Sequence, residues 1–200
     1  MKKFFLHLTL IISLFTISAK AQNKITVSDF KCEMLTNPEG IDVLQPRLSW
    51  KIKANVNDVK QTHYQVLASS SLEKLNAGNG DLWDSGKVTS DESVNVIYNG
   101  KKLKDRQDVY WKVIVFTNKG EVQSKETAHF SIGILTYANW KSTRWIGYEK
   151  TSPGDSISQY SRLSARYLRK EIDLKKKVKS AKAYIMGMGL YELYINGNKI

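Results

Sequence analysis

The sequence predicts an all-β protein, an antiparallel sandwich of seven strands followed by a second stretch of β character. Three observations predict it. Short runs of β-branched and aromatic residues recur from Ile25 onward, turn residues punctuate them, and no long segment carries helical periodicity. The strongest run is 109–117, Val-Tyr-Trp-Lys-Val-Ile-Val-Phe-Thr. Side chains alternate across a strand, so Val109, Trp111, Val113 and Val115 share one face and Tyr110, Lys112, Ile114 and Phe116 the other. Lys112 marks the second face as the wetter one. Trp111 and its three valines are therefore expected in the core, and Asn118-Lys119-Gly120 supplies the turn that closes the strand.

In chain order the predicted strands are 25–33, 47–54, 62–69, 82–88, 93–98, 109–117 and 127–133. Asn37-Pro38-Glu39-Gly40 separates the first two, and Pro46 opens the second, a place where the missing N–H is tolerated. Leu48, Trp50 and Ile52 share a face there, which makes Trp50 the expected partner of Trp111 across the two sheets. Val66 and Ala68 pack from the third strand, and residues 71–76 have room for one helical turn.

Residues 136–150 read as a linker. Trp140 and Trp145 are costly to leave in water, so they are expected to cover a domain junction, with a sugar-stacking platform as the functional alternative. Residues 151–164, rich in serine and carrying Pro153 and Gly154, read as a loop. Beyond it Leu168, Ile172 and Leu174 line one strand face, although 161–174 also has helix-like spacing, and Ala181, Ala183 and Ile185 alternate in a second strand. Tyr191, Leu193 and Ile195 alternate in a last strand that meets Asn196-Gly197, the strongest short signal for a tight hairpin. The returning strand has only three residues. That open edge leads us to expect that the 200 residues are the front of a longer protein.

At the other end, Lys2 and Lys3 precede an apolar run over 4–17, and Ala19-Lys20-Ala21 fits a small-x-small cleavage site. This reads as a secretory signal over 1–21, with the exported chain starting at Gln22; the run is short for a bilayer span and no other follows it. Cys32 is the single cysteine, which excludes an intramolecular disulfide and marks it as a small core residue. Removing Lys2, Lys3 and Lys20 from 31 basic residues leaves 28 against 19 acidic, a net +9. The charge gathers at Lys101, Lys102 and Lys104, at Arg162, Arg166, Arg169 and Lys170, and at Lys175, Lys176, Lys177 and Lys179. Lysines in short loops are ordinarily solvated, and export argues against a nucleic-acid partner.

No catalytic, cofactor-binding or metal-binding residue is assigned, and no cofactor is implied. His63 and His129 lie in separate strands without a carboxylate or cysteine at metal-ligand spacing. Gly187-Met188-Gly189 lacks a third glycine and a following helix, so it fails as a dinucleotide loop. Asp81, Asp84, Asp91 and Glu92 cluster around a turn without the alternating ligands of a calcium loop, and read as solvated carboxylates.

Four stretches carry a family resemblance: Asn37-Pro38-Glu39-Gly40-Ile41-Asp42 with Pro46-Arg47-Leu48-Ser49-Trp50; Asp81-Leu82-Trp83-Asp84-Ser85-Gly86-Lys87-Val88; Tyr110-Trp111-Lys112-Val113; and Gly189-Leu190-Tyr191-Glu192-Leu193-Tyr194-Ile195-Asn196-Gly197. In order and spacing they resemble the front end of bacterial α-L-rhamnosidases of glycoside hydrolase family 78. The resemblance implies a fibronectin type III or immunoglobulin-like sandwich over 22–135, a linker over 136–150 and the start of a jelly-roll domain over 151–200. It implies that an (α/α)-toroid carries the catalytic acids beyond residue 200, and that the parent hydrolyses terminal α-L-rhamnose of glycans or glycosides with inversion. Its partners would be that substrate and the remainder of its own chain, with no nucleic acid and no membrane span after signal removal. One departure stands out: Val109 occupies the place where such sandwiches often put a tyrosine corner, unless Tyr110 serves by a shifted register. The competing reading is an exported, non-catalytic carbohydrate-binding or spacer module.

Overall fold

The computed structural model describes residues 24–147, 150, 153, 155, 164–178 and 180–200, so the signal over 1–21 and most of the loop over 151–164 lie outside the described residues. Two antiparallel sheets face each other. The first joins β1 (Ile25–Cys32), β2 (Arg47–Ala54) and β6 (Val96–Ile97) in the order β1-β2-β6. The second runs β4 (Trp83–Asp84), β3 (Gln61–Ser69), β7 (Asp108–Thr117) and β8 (Gly120–Gln123), with β5 (Val88–Thr89) also on β3 and β9 (Ala128–Ser131) also on β7. No helix among the described residues is long and apolar enough to cross a membrane.

β7 organises the core as its alternation predicts. Val109, Trp111, Val113 and Val115 are fully buried, while Tyr110, Ile114 and Phe116 are half-buried on the outer face. Lys112 departs from the expectation of a wet face, being buried beside the short helix α1 (Leu72–Asn76), which packs on β3 and β7. Ser71 caps that helix by accepting from the Lys74 amide. Leu67 and Leu75 are buried there too, away from the main core. This second cover explains why β3 alternates imperfectly: Tyr64, Val66 and Ala68 turn inward, yet Leu67 finds shelter on the other side.

The expected meeting of Trp50 with Trp111 is replaced by two separate aromatic pairs. Trp50 meets Tyr64 edge-on at 5.3 Å and Trp111 meets Phe30 edge-on at 5.4 Å. A register shift between Ser28 and Lys31, with Asp29 at φ 55°, makes the second pair by turning Phe30 inward as well as Val27. Cys32 is buried as expected, and burial pushes its thiol up to about 12. Trp50 Nε1 donates to Gln61 Oε1 at 3.1 Å, and Gln61 Nε2 donates in turn to the carbonyls of Ser90 and Glu92. Gln61→Leu is therefore expected to cost about 1–3 kcal/mol, since it orphans a buried indole N–H and two loop carbonyls; equal chemical-denaturation midpoints for variant and parent would contradict this.

The predicted strands 93–98 and 127–133 are shortened to β6 and β9, and two further departures have a local reason. The run 82–88 breaks into β4 and β5 because Gly86, at φ 61°, bends the chain away while Ser85 Oγ accepts from the Val66 amide. The turn at Asn118-Lys119 closes β7 as expected, and leads into a strand that was not expected, β8, with Thr117 paired to Gly120. The tyrosine corner is supplied by neither Val109 nor Tyr110. Buried Tyr98 donates its hydroxyl to the Lys101 carbonyl at 2.9 Å and pins the following loop.

After the sandwich come a 3-10 turn at Tyr137–Trp140 and one hairpin, β10 (Tyr194–Ile195) with β11 (Asn198–Lys199). Asn196 and Gly197 both have positive φ, 50° and 82°, as a two-residue hairpin turn of this type demands. The strands predicted around Leu168, Ile172 and Leu174 and around Ala181, Ala183 and Ile185 are not formed. No strand among the described residues lies beside them to complete a ladder, and Leu168, Ile172, Leu174 and Ile185 are exposed.

Candidate functional site

Among the described residues the four acids around the 81–92 turn do not form a metal-ligand cluster. Asp81 accepts from the Ser70 amide at 2.8 Å, the Ser70 hydroxyl at 2.8 Å and Lys74 Nζ at 2.7 Å, tying α1 to the turn. Asp84 accepts from Gln65 and from the Gly86 amide, and Glu92 is held through its backbone. Burial works against the charge on Asp81, but the hydrogen bonds from Lys74 and Ser70 outweigh it and bring its carboxyl from 3.8 down to about 2. A folded value below the ordinary one gives stability that is complete above that ordinary value and lost as pH falls toward about 2. The stability gap between the parent and Asp81→Asn is therefore expected to shrink between about pH 4 and pH 2 in urea melts; a constant gap would contradict the pairing.

The residues that do converge lie at one end of the sandwich. Residues 37–42 run alongside β9, with Ser131 N donating to Pro38 O, Ile41 N to Ser131 O and Gly133 N to Ile41 O, and with Ile41 bridging Ile132 in parallel. The approach is close: a Cβ on Gly133 would stand 2.8 Å from the Gly40 carbonyl oxygen, so a side chain there would push the strap off. Asn37 accepts from the His129 amide and the Gly40 amide donates to Ser131 Oγ, fixing the strap at both ends of Glu39.

Glu39 is thereby brought to Asp108 and His129. His129 Nε2 lies 3.0 Å from Asp108 Oδ1, and its Nδ1 lies 3.4 Å from Glu39 Oε1. Tyr110 packs on the imidazole with ring centres 4.8 Å apart. Ser131 Oγ donates to Glu39, and Lys182 Nζ reaches both acids, at 2.9 Å from Glu39 Oε2 and in direct contact with Asp108 Oδ1. Burial raises the carboxyl pKa values, but hydrogen bonds from Ser131 and Lys182 to Glu39, and from Lys182 and His129 to Asp108, bring both below the ordinary range. Lys182 is affected in the opposite sense: burial lowers its pKa, and the two carboxylates raise it beyond that loss.

One imidazole and two carboxylates, with donor atoms within 4.8 Å of one another, make a set that a divalent cation accepts. Here the Lys182 ammonium supplies the positive charge, so the cluster is an ion-pair network. Sequence spacing could not find it, because residues 39, 108, 129 and 182 belong to four separate segments. His63 takes no part; it packs on Phe116 and its Nδ1 lies 3.0 Å from Thr62 Oγ.

The same end holds the chain that follows the sandwich. Asp105 accepts from the Leu135 amide and from Asn139 Nδ2, and Arg106 donates to the Asn139 carbonyl while its guanidinium lies 5.7 Å from the Tyr184 ring. Of the two tryptophans expected at a junction, Trp140 is half-buried and Trp145 is 66% exposed. Polar contacts of Asn139 tether this turn.

Residues 27–136 match the family model of the Rha78A-like N-terminal immunoglobulin domain. The chain is 34% identical over 209 residues to an α-L-rhamnosidase of Formosa agariphila, a match covering 96% of this chain and 22% of that protein. It is 35% identical over 171 residues to one of an Alteromonas species, covering 84% and 18%. Among solved structures it resembles an α-L-rhamnosidase from Dictyoglumus thermophilum, with 39% identity, TM-score 0.56 and coverage of 66% of this chain and 15% of that one. It also resembles the Streptomyces avermitilis α-L-rhamnosidase complexed with L-rhamnose, with 34% identity, TM-score 0.55 and coverage of 58% and 11%. The chain thus spans about a fifth of the length of the curated relatives it matches.

Proposed function

Because the chain belongs to the family of Rha78A-like N-terminal immunoglobulin domains, we propose that it is the leading, non-catalytic portion of an exported α-L-rhamnosidase acting on terminal α-L-rhamnose of glycans or glycosides. The observation that carries the reading is coverage: almost the whole chain aligns with a protein named α-L-rhamnosidase while accounting for 22% of it. In this reading residues 1–21 are a signal removed before Gln22, 22–135 the sandwich, 136–150 a linker and 151–200 the opening of a jelly-roll domain.

The chemistry is assigned outside these 200 residues. Inverting hydrolysis uses one carboxylic acid to protonate the leaving oxygen and a second carboxylate to activate water, the two standing about 6.5–9.5 Å apart across a sugar-sized cleft. Glu39 and Asp108 are a poor fit to those roles, since one lysine ammonium contacts both and Ser131 and His129 take further lone pairs. A hollow whose lining includes Leu44, Leu103, Asp105, Leu135 and Asn139 holds one acid, and that acid is committed to the Leu135 amide and Asn139. The second reading, a carbohydrate-binding module, is favoured by the exposure of Tyr137 and Trp145, 89% and 66%. The deciding experiment compares the complete gene product with the 200-residue chain on an α-L-rhamnoside: the first is expected to turn it over and the second to leave it intact.

A further inference from the structure

We propose that Glu39, Asp108 and His129 form a preorganised seat for Lys182, a charge-selective latch by which the end of the sandwich fixes the direction of the chain that follows it. Backbone bonds from the 37–42 strap to β9 place the seat, and Ser131 holds Glu39 in position. Among the described residues no other lysine or arginine pairs with Glu39 or Asp108, so Lys182 is the cation that the two share. The contact joins residues 143 and 74 positions apart, so it restrains the segment as a whole and not a local turn.

Lys182 does not act alone. Residues two apart in an extended segment project to one side, which is why Tyr184 reaches Arg106 while Lys182 reaches the seat. Ala181, Ala183 and Ile185 then face away from the sandwich side. Together with Asn139 on Asp105 and Arg106, three points of the following chain are held by polar and cationic contacts. A dock of this composition releases with salt, because the Debye length shortens to about 3 Å at 1 M.

The test is zero-length carbodiimide cross-linking of the full chain, which joins an amine to a carboxylate only where the two touch, followed by peptide mass spectrometry. The expected product is an amide between Lys182 and Glu39 or Asp108, falling at least about fivefold in 1 M salt as screening opens the latch. Lys51 and Asp29, 2.6 Å apart within the sandwich, provide an internal control of a short ion pair. In Glu39→Gln/Asp108→Asn the Lys182 product is expected to vanish while the Lys51 product persists. Lys182 left unlinked beside a formed Lys51 link, spread over unrelated acids, or linked without regard to salt would overturn the proposal.

Discussion

Trp111→Ala is expected to lower the unfolding free energy of the chain by about 3–5 kcal/mol, the usual range for deleting a fully buried large aromatic. Trp111 is fully buried on the central strand, with β3 on one side and β9 on the other, and its ring is edge-on to Phe30. Its indole N–H has no partner among the described residues, so the loss is read as packing and the cavity left behind. That separates it from Trp50, whose truncation also strands Gln61. Urea melts followed by circular dichroism measure the change. A loss under about 1 kcal/mol would contradict the central position assigned to this residue.

The sandwich was legible because its strongest strand obeys the period-two rule everywhere but Lys112, and because Leu48 and Trp50 on β2 and Val66 and Ala68 on β3 place apolar residues inward at the same spacing. Its errors are local. Gly86 splits one predicted strand, the strand after the Asn118-Lys119 turn was not expected, and the buried tyrosine whose hydroxyl bonds the backbone is Tyr98 rather than a residue at 109 or 110. Each depends on which backbone groups a side chain or turn can reach, which alternation does not encode. The stretch 167–185 shows the reverse case, in which alternation is present but no neighbouring strand among the described residues completes a ladder.

The seam around Glu39 was invisible for a different reason. Each member reads as an ordinary surface residue, and only the strap running beside β9 brings them within hydrogen-bonding distance. The sequence did hold one clue, since Asn37-Pro38-Glu39-Gly40 was among the stretches carrying the family resemblance. In the folded chain Asn37, Pro38 and Gly40 bond the strap to β9, and Glu39 joins the cluster, which gives that stretch a physical purpose.

The second large effect concerns activity. Glycoside cleavage needs two positioned carboxyl groups and a cleft that distorts the sugar, whereas Asp81 is engaged by Ser70 and Lys74, and Glu39 and Asp108 by Lys182. If, as proposed, the catalytic apparatus lies outside the chain, the chain is expected to lack the whole rate enhancement, on the order of 10⁶-fold or more for an enzyme of ordinary power. The most direct measurement is therefore release of nitrophenol from nitrophenyl α-L-rhamnoside by the 200-residue chain and by the complete gene product, with proton NMR following the first-formed anomer. The account predicts no release above background from the chain, and turnover with inversion by the complete product. Turnover by the chain itself, or an inactive complete product, would contradict it.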